Sequence, residues 1–343
     1  EYIFNSNDIS NEKEIHTRAT LTIAMGMLQS SGRFSHYNPR MEYLVEMVHR
    51  IKVNGFSIYA NDTQVCGVGL YGTPSFMNHS CRPNALRICR LQKSSPPSMH
   101  ITAFRDILPG EEICISYMDT SCPSHMRLEN LEKDYYFVCN CEACDTNSDQ
   151  QDDSITMALR CPNCSSSSVI RADKGLAPRR PVYECSECHN TNFESALLQL
   201  RDFEKTENGD LSLSELQITY RRLQKICYNT SWYVQEAGHR LLEEHLEKLA
   251  ELAGDFEQQK AREALKLAQE LLDAKPQLVH STGAFLNHQH LRHKAAKLLL
   301  FLDPDPRRSI QELQGILTSL TPLYSEDHTV IAQVKATLAS AMM

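Results

Sequence analysis

FMNHSCRPN, residues 76–84, sets an asparagine, a histidine, a serine and a cysteine side by side and closes them with Pro83. Taken alone, Asn78 and His79 would make an ordinary capped turn. Cys81 changes that reading, because CNCEAC downstream places Cys139, Cys141 and Cys144 in one short loop. Three thiolates leave tetrahedral zinc one ligand short, and Cys81 is the candidate for the fourth. The competing reading is a buried apolar thiol, as free cysteine often is. A ligand drawn from so far upstream would tie the region around residue 80 to the cysteine loop.

A second set follows: CPNC and CSEC supply Cys161, Cys164, Cys185 and Cys188. Two C-x-x-C knuckles about 20 residues apart form a zinc-ribbon pattern. Cys66, Cys89, Cys114, Cys122 and Cys227 lack such partners and read as packing residues or free thiols. The histidines of NHQHLRH, at 288, 290 and 293, have no carboxylate or cysteine to complete a metal site, so a solvated helix face is expected there.

Around these motifs the chain changes texture three times. Residues 1–50 carry apolar positions at helical spacing, such as Ile23 and Met27, and then Leu44, Val45, Met47 and Val48. Residues 51–118 read as short strands: IKVNGFSIY, VCGVGLYG, NALRICRL, HITAFRDI and EEICISY. Residues 119–200 hold the cysteine pairs and few other candidates for a core, so metal is expected to substitute for apolar burial. Beyond about residue 210 the pattern is helical, with an apolar stripe at Ala261, Ala264, Leu265, Ala268, Leu271 and Leu272, and with Gly254 and Pro276 as punctuation. The segment 254–276 is similar to one member of a tetratricopeptide-type helix pair.

The formal charge of −8 argues against gripping nucleic acid by phosphate neutralisation. Arg171, Lys174, Arg179 and Arg180 between the ribbon knuckles are the only counter-argument. No apolar run of about 18 residues is available to span a bilayer, and no charged-then-apolar leader opens the chain. A soluble protein of the nucleus or cytoplasm is expected. The start at Glu1 suggests a fragment.

In order, N-G-F-S-I-Y (54–59), G-V-G-L-Y (67–71), N-H-S-C-R-P-N (78–84), G-E-E-I-C-I-S-Y (110–117) and Y-Y-F-V-C-N-C-E-A-C (135–144) resemble the SET-domain lysine methyltransferases, and most closely their subfamily with SET and MYND domains. The resemblance implies an α+β multidomain protein. Residues 1–118 would be the C-terminal part of a β-rich SET domain with its helical insert. Residues 119–200 would hold a zinc-bound post-SET loop plus an inserted ribbon, and residues 201–343 an all-α, TPR-like domain. The subfamily's N-terminal SET half, with its glycine-rich cofactor contact, and its MYND finger are expected to be lacking. The ribbon is a departure from the better-known members.

The resemblance also implies roles. Asn54, Ser75, Asn78 and His79 would contact S-adenosylmethionine and Phe137 would lie against its adenine, while Phe56 and Tyr135 would line the channel for the target lysine. The N-H-S-C segment would pass beneath another strand, so that Cys81 reaches the post-SET zinc. Tyr117 would orient methyl group and amine through its hydroxyl, since a phenol of pKa near 10 is a poor full base. The partners implied are a protein substrate and a further protein, a chaperone among the candidates, on the helical domain. A non-catalytic zinc-containing scaffold is the alternative.

Overall fold

The computed structural model describes residues 11–30, 39–59, 65–92, 95–144, 156–166, 169–171, 182–206, 211–249, 255–274, 282–324 and 328–342. Lys174, Arg179, Arg180, Gly254 and Pro276 lie outside them. The chain forms two units, one of residues 1–78, 87–101 and 130–138, the other of residues 79–86, 102–129 and 139–343.

In the first unit, α1 (Asn11–Ser30) packs on α2 (Met41–Asn54), and Val45 is buried against Leu21, Met41, Val53 and Tyr136. The helices expected before residue 50 are therefore present. The strand expected from residue 51 is not whole: Ile51 to Asn54 complete α2, and β1 (Gly55–Tyr59) begins at once. Gly55 permits this switch. A Cβ there would stand 2.4 Å from the Ile51 carbonyl oxygen and 2.5 Å from Val68 Cγ1, so a side chain would hold the strand off the helix end. β1 pairs antiparallel with β2 (Val65–Leu70), Phe56 opposite Gly69 and Ile58 opposite Gly67. Phe56 and Ile58 are buried and Ser57 is exposed, the period of two that a half-buried strand imposes.

β3 (Ala85–Gln92) and β4 (Ser95–Ala103) form a second two-stranded sheet. The GEEICISY stretch differs from expectation, because among the described residues it contributes only the isolated parallel bridge His79 to Ile115. Its other hydrogen bonds go largely to side chains, as the site below shows.

The second unit contains α3 (Ser124–Tyr135) up to Glu129, the hairpin of β5 (Val169–Arg171) and β6 (Tyr183–Cys185), and seven described helices. These are α4 (Glu194–Glu204), α5 (Leu213–Ile226), α6 (Trp232–Leu249), α7 (Asp255–Asp273), α8 (Thr282–Leu302), α9 (Arg307–Leu320) and α10 (Thr329–Ala341). Each packs on its successor. A capping box starts α5: Ser212 Oγ accepts from the Glu215 amide, and the Ser212 amide donates to the Glu215 carboxylate. The stripe read from the sequence is the buried face of α7, where Ala261, Ala264, Ala268 and Leu271 are sealed in. His125, Glu204 and Tyr233 tie α3, α4 and α6 together, the Glu204 carboxylate lying 3.1 Å from His125 Nε2 and 2.5 Å from the Tyr233 hydroxyl.

Two further expectations need correction. Residues 119–200 are not poor in core: Met157, Leu159, Val169, Tyr183 and Phe193 are buried in the same apolar cluster as the helices. Their spacing is irregular because they come from short strands and turns, which periodicity does not detect. NHQHLRH is not a wholly solvated face either. His293 is buried, its Nε2 2.9 Å from Thr337 Oγ1 of α10, and desolvation first, then Lys297, brings its pKa down to about 4.

Gly238 lets α6 pack tightly between α5 and α7, since a Cβ there would meet Leu271 Cδ2 at 2.5 Å and Tyr220 Cε2 at 3.0 Å. Alanine gains about 1 kcal/mol in helix propensity but forces about 1–3 kcal/mol of overpacking into a core with no slack. Gly238→Ala is therefore expected to lose about 1 kcal/mol net, read as a lower urea midpoint at unchanged slope.

Candidate functional site

The motif segment 79–84 lies against residues 111–117 within the second unit. Ser80 donates its amide to the Ile115 carbonyl at 3.0 Å, and Ala85 to Cys114 at 3.1 Å. Asn84, 2% exposed, does the rest with its side chain. Its amide nitrogen donates to the Glu112 carbonyl at 2.7 Å and Glu111 Oε1 at 3.0 Å, and its oxygen accepts from the Cys114 amide at 2.9 Å. This asparagine was visible in the motif but carried no role. Its signal, an Asn directly after a proline at the end of a buried turn, is too common to read alone.

Glu111 is the half-buried end of this network. The Arg105 guanidinium at 2.6 Å, then the Leu108 amide and Asn84, hold its carboxyl down to about 2, against an ordinary 4.5. Since the folded value lies below the unfolded one, the stabilisation is complete above about pH 4.5 and is lost as pH falls towards 2. Urea titrations across that window are expected to show a loss of stability on acidification that is smaller in Glu111→Gln.

His79 is buried between two groups. Its Nδ1 accepts from the Tyr117 amide at 3.0 Å, and Nε2 lies 3.3 Å from Cys81 Sγ. A backbone N–H can only donate, so Nδ1 is the bare nitrogen and Nε2 carries the proton toward sulfur. The Tyr117 ring lies tilted on the imidazole, centroids 5.3 Å apart. One side chain thus fixes Tyr117 relative to Cys81.

Cys81 meets its three expected companions. The four sulfurs of Cys81, Cys139, Cys141 and Cys144 all lie within 4.8 Å of one another, with Cys81 to Cys144 at 3.5 Å. That is far beyond a disulfide bond and near the roughly 3.8 Å edge of a tetrahedron with Zn–S of about 2.3 Å. Cys81 and Cys144 are held high in pKa, first by contact with Cys139, while Cys139 is held low, first by contact with Cys141. Arg127, 1% exposed, donates to the Cys122 carbonyl at 2.6 Å, and its charge favours the anionic forms of Cys81 and Cys144. A buried cation beside four sulfurs suits a tetrathiolate with net negative charge, so these residues fit zinc. Sequence reasoning missed Arg127, because nothing in SHMRLENL separates a buried arginine from a solvated one. In the second set, Cys161, Cys164, Cys185 and Cys188 gather equally closely.

The remaining candidates belong to the first unit. Ser75 Oγ lies 2.7 Å from the Tyr71 carbonyl and 3.1 Å from that of Asn54, and Asn54 donates to the Arg50 carbonyl at 2.9 Å. Phe56, 5% exposed, packs edge-on against Tyr71 with centroids 5.9 Å apart, the Arg87 guanidinium 5.5 Å from its ring. Asn78 is exposed, and Tyr135 and Phe137 are half-buried.

Comparison with known proteins follows the same residues. The family model for the SET domain matches residues 1–118. The chain is 25% identical over 329 residues to N-lysine methyltransferase SMYD2-B of Danio rerio, covering 96% of this chain and 66% of that protein. It is 31% identical over 148 residues to human histone-lysine N-methyltransferase SMYD3, covering 43% of this chain and 33% of that protein.

These matches support a SMYD-type SET protein.

A third relative, human protein-lysine N-trimethyltransferase SMYD5, is 42% identical over 90 residues, 24% of this chain and 20% of that protein. The chain thus spans less than two thirds of the length of these relatives, all of which are lysine methyltransferases by name. Among the described residues no helix is long and apolar enough to cross a membrane.

Proposed function

We propose that the protein transfers methyl groups from S-adenosylmethionine to lysine side chains of protein substrates. The observation that carries this reading is the His79, Tyr117 and Cys81 constellation on a SMYD-type SET sequence. A tyrosine placed by a buried imidazole, itself held against a quartet of cysteine sulfurs, is a positioning device of the kind an in-line displacement needs. The exposed amide of Asn78 suits the polar end of the cofactor, and the half-buried ring of Phe137 suits an adenine. Ser75 already donates within its own unit, so its hydroxyl has only acceptor capacity left.

When bound, the cofactor supplies a methyl group on a positive sulfonium. The target amine gives its proton to solvent before attack, and apolar walls favour its neutral form by desolvation. Tyr135, half-buried, and the apolar ring of Phe56 suit such a wall. Tyr117 orients the amine through its hydroxyl.

Two zinc ions per chain are part of the proposal. Tetrathiolate sites need reduced sulfur, which supports the nucleus or cytoplasm as the setting. The successive helices α5 to α10 support a partner-binding role, a chaperone among the candidates, because stacked helices offer extended surfaces. Incubation with labelled S-adenosylmethionine and a panel of histones and cytosolic proteins is expected to label a lysine. No label transfer together with no cofactor binding by calorimetry would instead support a zinc-containing interaction scaffold.

A further inference from the structure

The ribbon is not an appendage. Its two knuckles have the same backbone: Ser165 donates to the Cys161 carbonyl at 2.8 Å and His189 to the Cys185 carbonyl at 2.8 Å, while Cys161 and Cys185 donate to Ser166 and Asn190. Ser165 and His189 both take left-handed φ, 59° and 56°, a conformation that disfavours side chains and persists where surroundings impose it. The sulfurs close across the hairpin, Cys161 to Cys188 at 3.5 Å and Cys164 to Cys185 at 3.6 Å. These separations again suit four thiolates around one zinc ion.

The opposite side of this cluster is the helical core. Cys161 and Cys185 are buried in the apolar cluster that also holds Leu223, Tyr233 and Leu242. The segment just before the first knuckle pairs with the α5–α6 corner: Tyr228 donates to the Ala158 carbonyl at 2.8 Å, Arg160 to the Ile226 carbonyl at 2.9 Å, and Leu159 bridges Cys227. Arg160 Nε donates to the Cys227 carbonyl at 3.0 Å while its guanidinium lies 3.8 Å from the Tyr228 ring centroid. The Tyr228 hydroxyl then donates to the carbonyl of Ser165, the left-handed knuckle residue, at 2.6 Å.

We propose that Cys161, Cys164, Cys185 and Cys188 form a structural zinc site belonging to the helical domain, whose occupancy orders the α5–α6 corner through Arg160 and Tyr228. The ion closes both knuckles, the first knuckle and the segment leading into it present Ser165 and Ala158, and these take up the Tyr228 hydroxyl and the corner's backbone. Loss of the ion frees the hairpin and leaves that corner without its partners.

The test uses the full chain and does not read methyl transfer, so its outcome is separate from that of the proposed activity. Cys164 is exposed, so Cys164→Ser removes a ligand with little change in core packing. Native mass spectrometry is expected to show one zinc fewer per chain. Hydrogen exchange is expected to rise roughly tenfold or more at Arg160, Tyr228 and along α5 and α6, with Ser80 and Tyr117 unchanged. Loss of zinc with α5–α6 exchange unaltered, or retention of full zinc, would overturn the proposal. Tyr228→Phe keeps all four sulfurs and tests the coupling from the other side. It is expected to retain zinc but release it several-fold faster to a chelator; an unchanged release rate would remove Tyr228 from its role.

Discussion

Tyr117→Phe is expected to lower the methyl-transfer rate by about 10²–10³-fold, the usual cost of removing one well-placed hydrogen-bonding group from a reacting centre. The substitution is narrow. The Tyr117 amide still donates to His79 Nδ1, and a phenylalanine ring keeps its place against the imidazole. Only the hydroxyl is lost. Single-turnover rates with saturating S-adenosylmethionine read the effect, and calorimetry is expected to show cofactor affinity within a few-fold of the parent. An unchanged rate would remove Tyr117 from catalysis. A rate that falls in step with cofactor affinity would instead make it a binding residue.

Cys81→Ser is expected to have the largest effect on folding. Structural zinc in small tetrathiolate sites contributes on the order of 10 kcal/mol at neutral pH, and three ligands hold it far more weakly than four. Cys81 is 4% exposed, with Cys144 Sγ at 3.5 Å and His79 Nε2 at 3.3 Å. The variant should therefore lose one zinc by native mass spectrometry and the sulfur that anchors the imidazole. Because His79 also holds Tyr117, hydrogen exchange at the Tyr117 amide should rise with zinc loss. If zinc is retained, Cys81 is not a ligand and the fourth position belongs to another group.

Both predictions start from residues visible in the sequence, but not from contacts visible there. Cys81 could be paired with CNCEAC because tetrahedral coordination sets a number of ligands that the loop alone does not reach. The His79 tautomer could not be foreseen, because it depends on which amide the fold brings to Nδ1. Asn84 replaces strand pairing along residues 112–114 with side-chain hydrogen bonds, so a run that reads as a strand has only one bridge. Arg127 looks like any surface arginine until the second unit closes over it.

What the sequence by itself determined is local and stoichiometric: helices from period, one quartet of sulfur from paired C-x-x-C knuckles and another from the ligand count of zinc, a SET motif order from the succession of short signatures. Those features depend on neighbours along the chain or on the coordination number of a metal. Only the tertiary structure decided that the ribbon shares a core with the helices, that α2 runs to Asn54 before Gly55 turns it into a strand, and that one imidazole joins Tyr117 to Cys81. Each of these rests on groups distant in sequence coming within a few ångströms. At that range burial and hydrogen-bond direction, set by the packed surroundings, override what any short segment prefers.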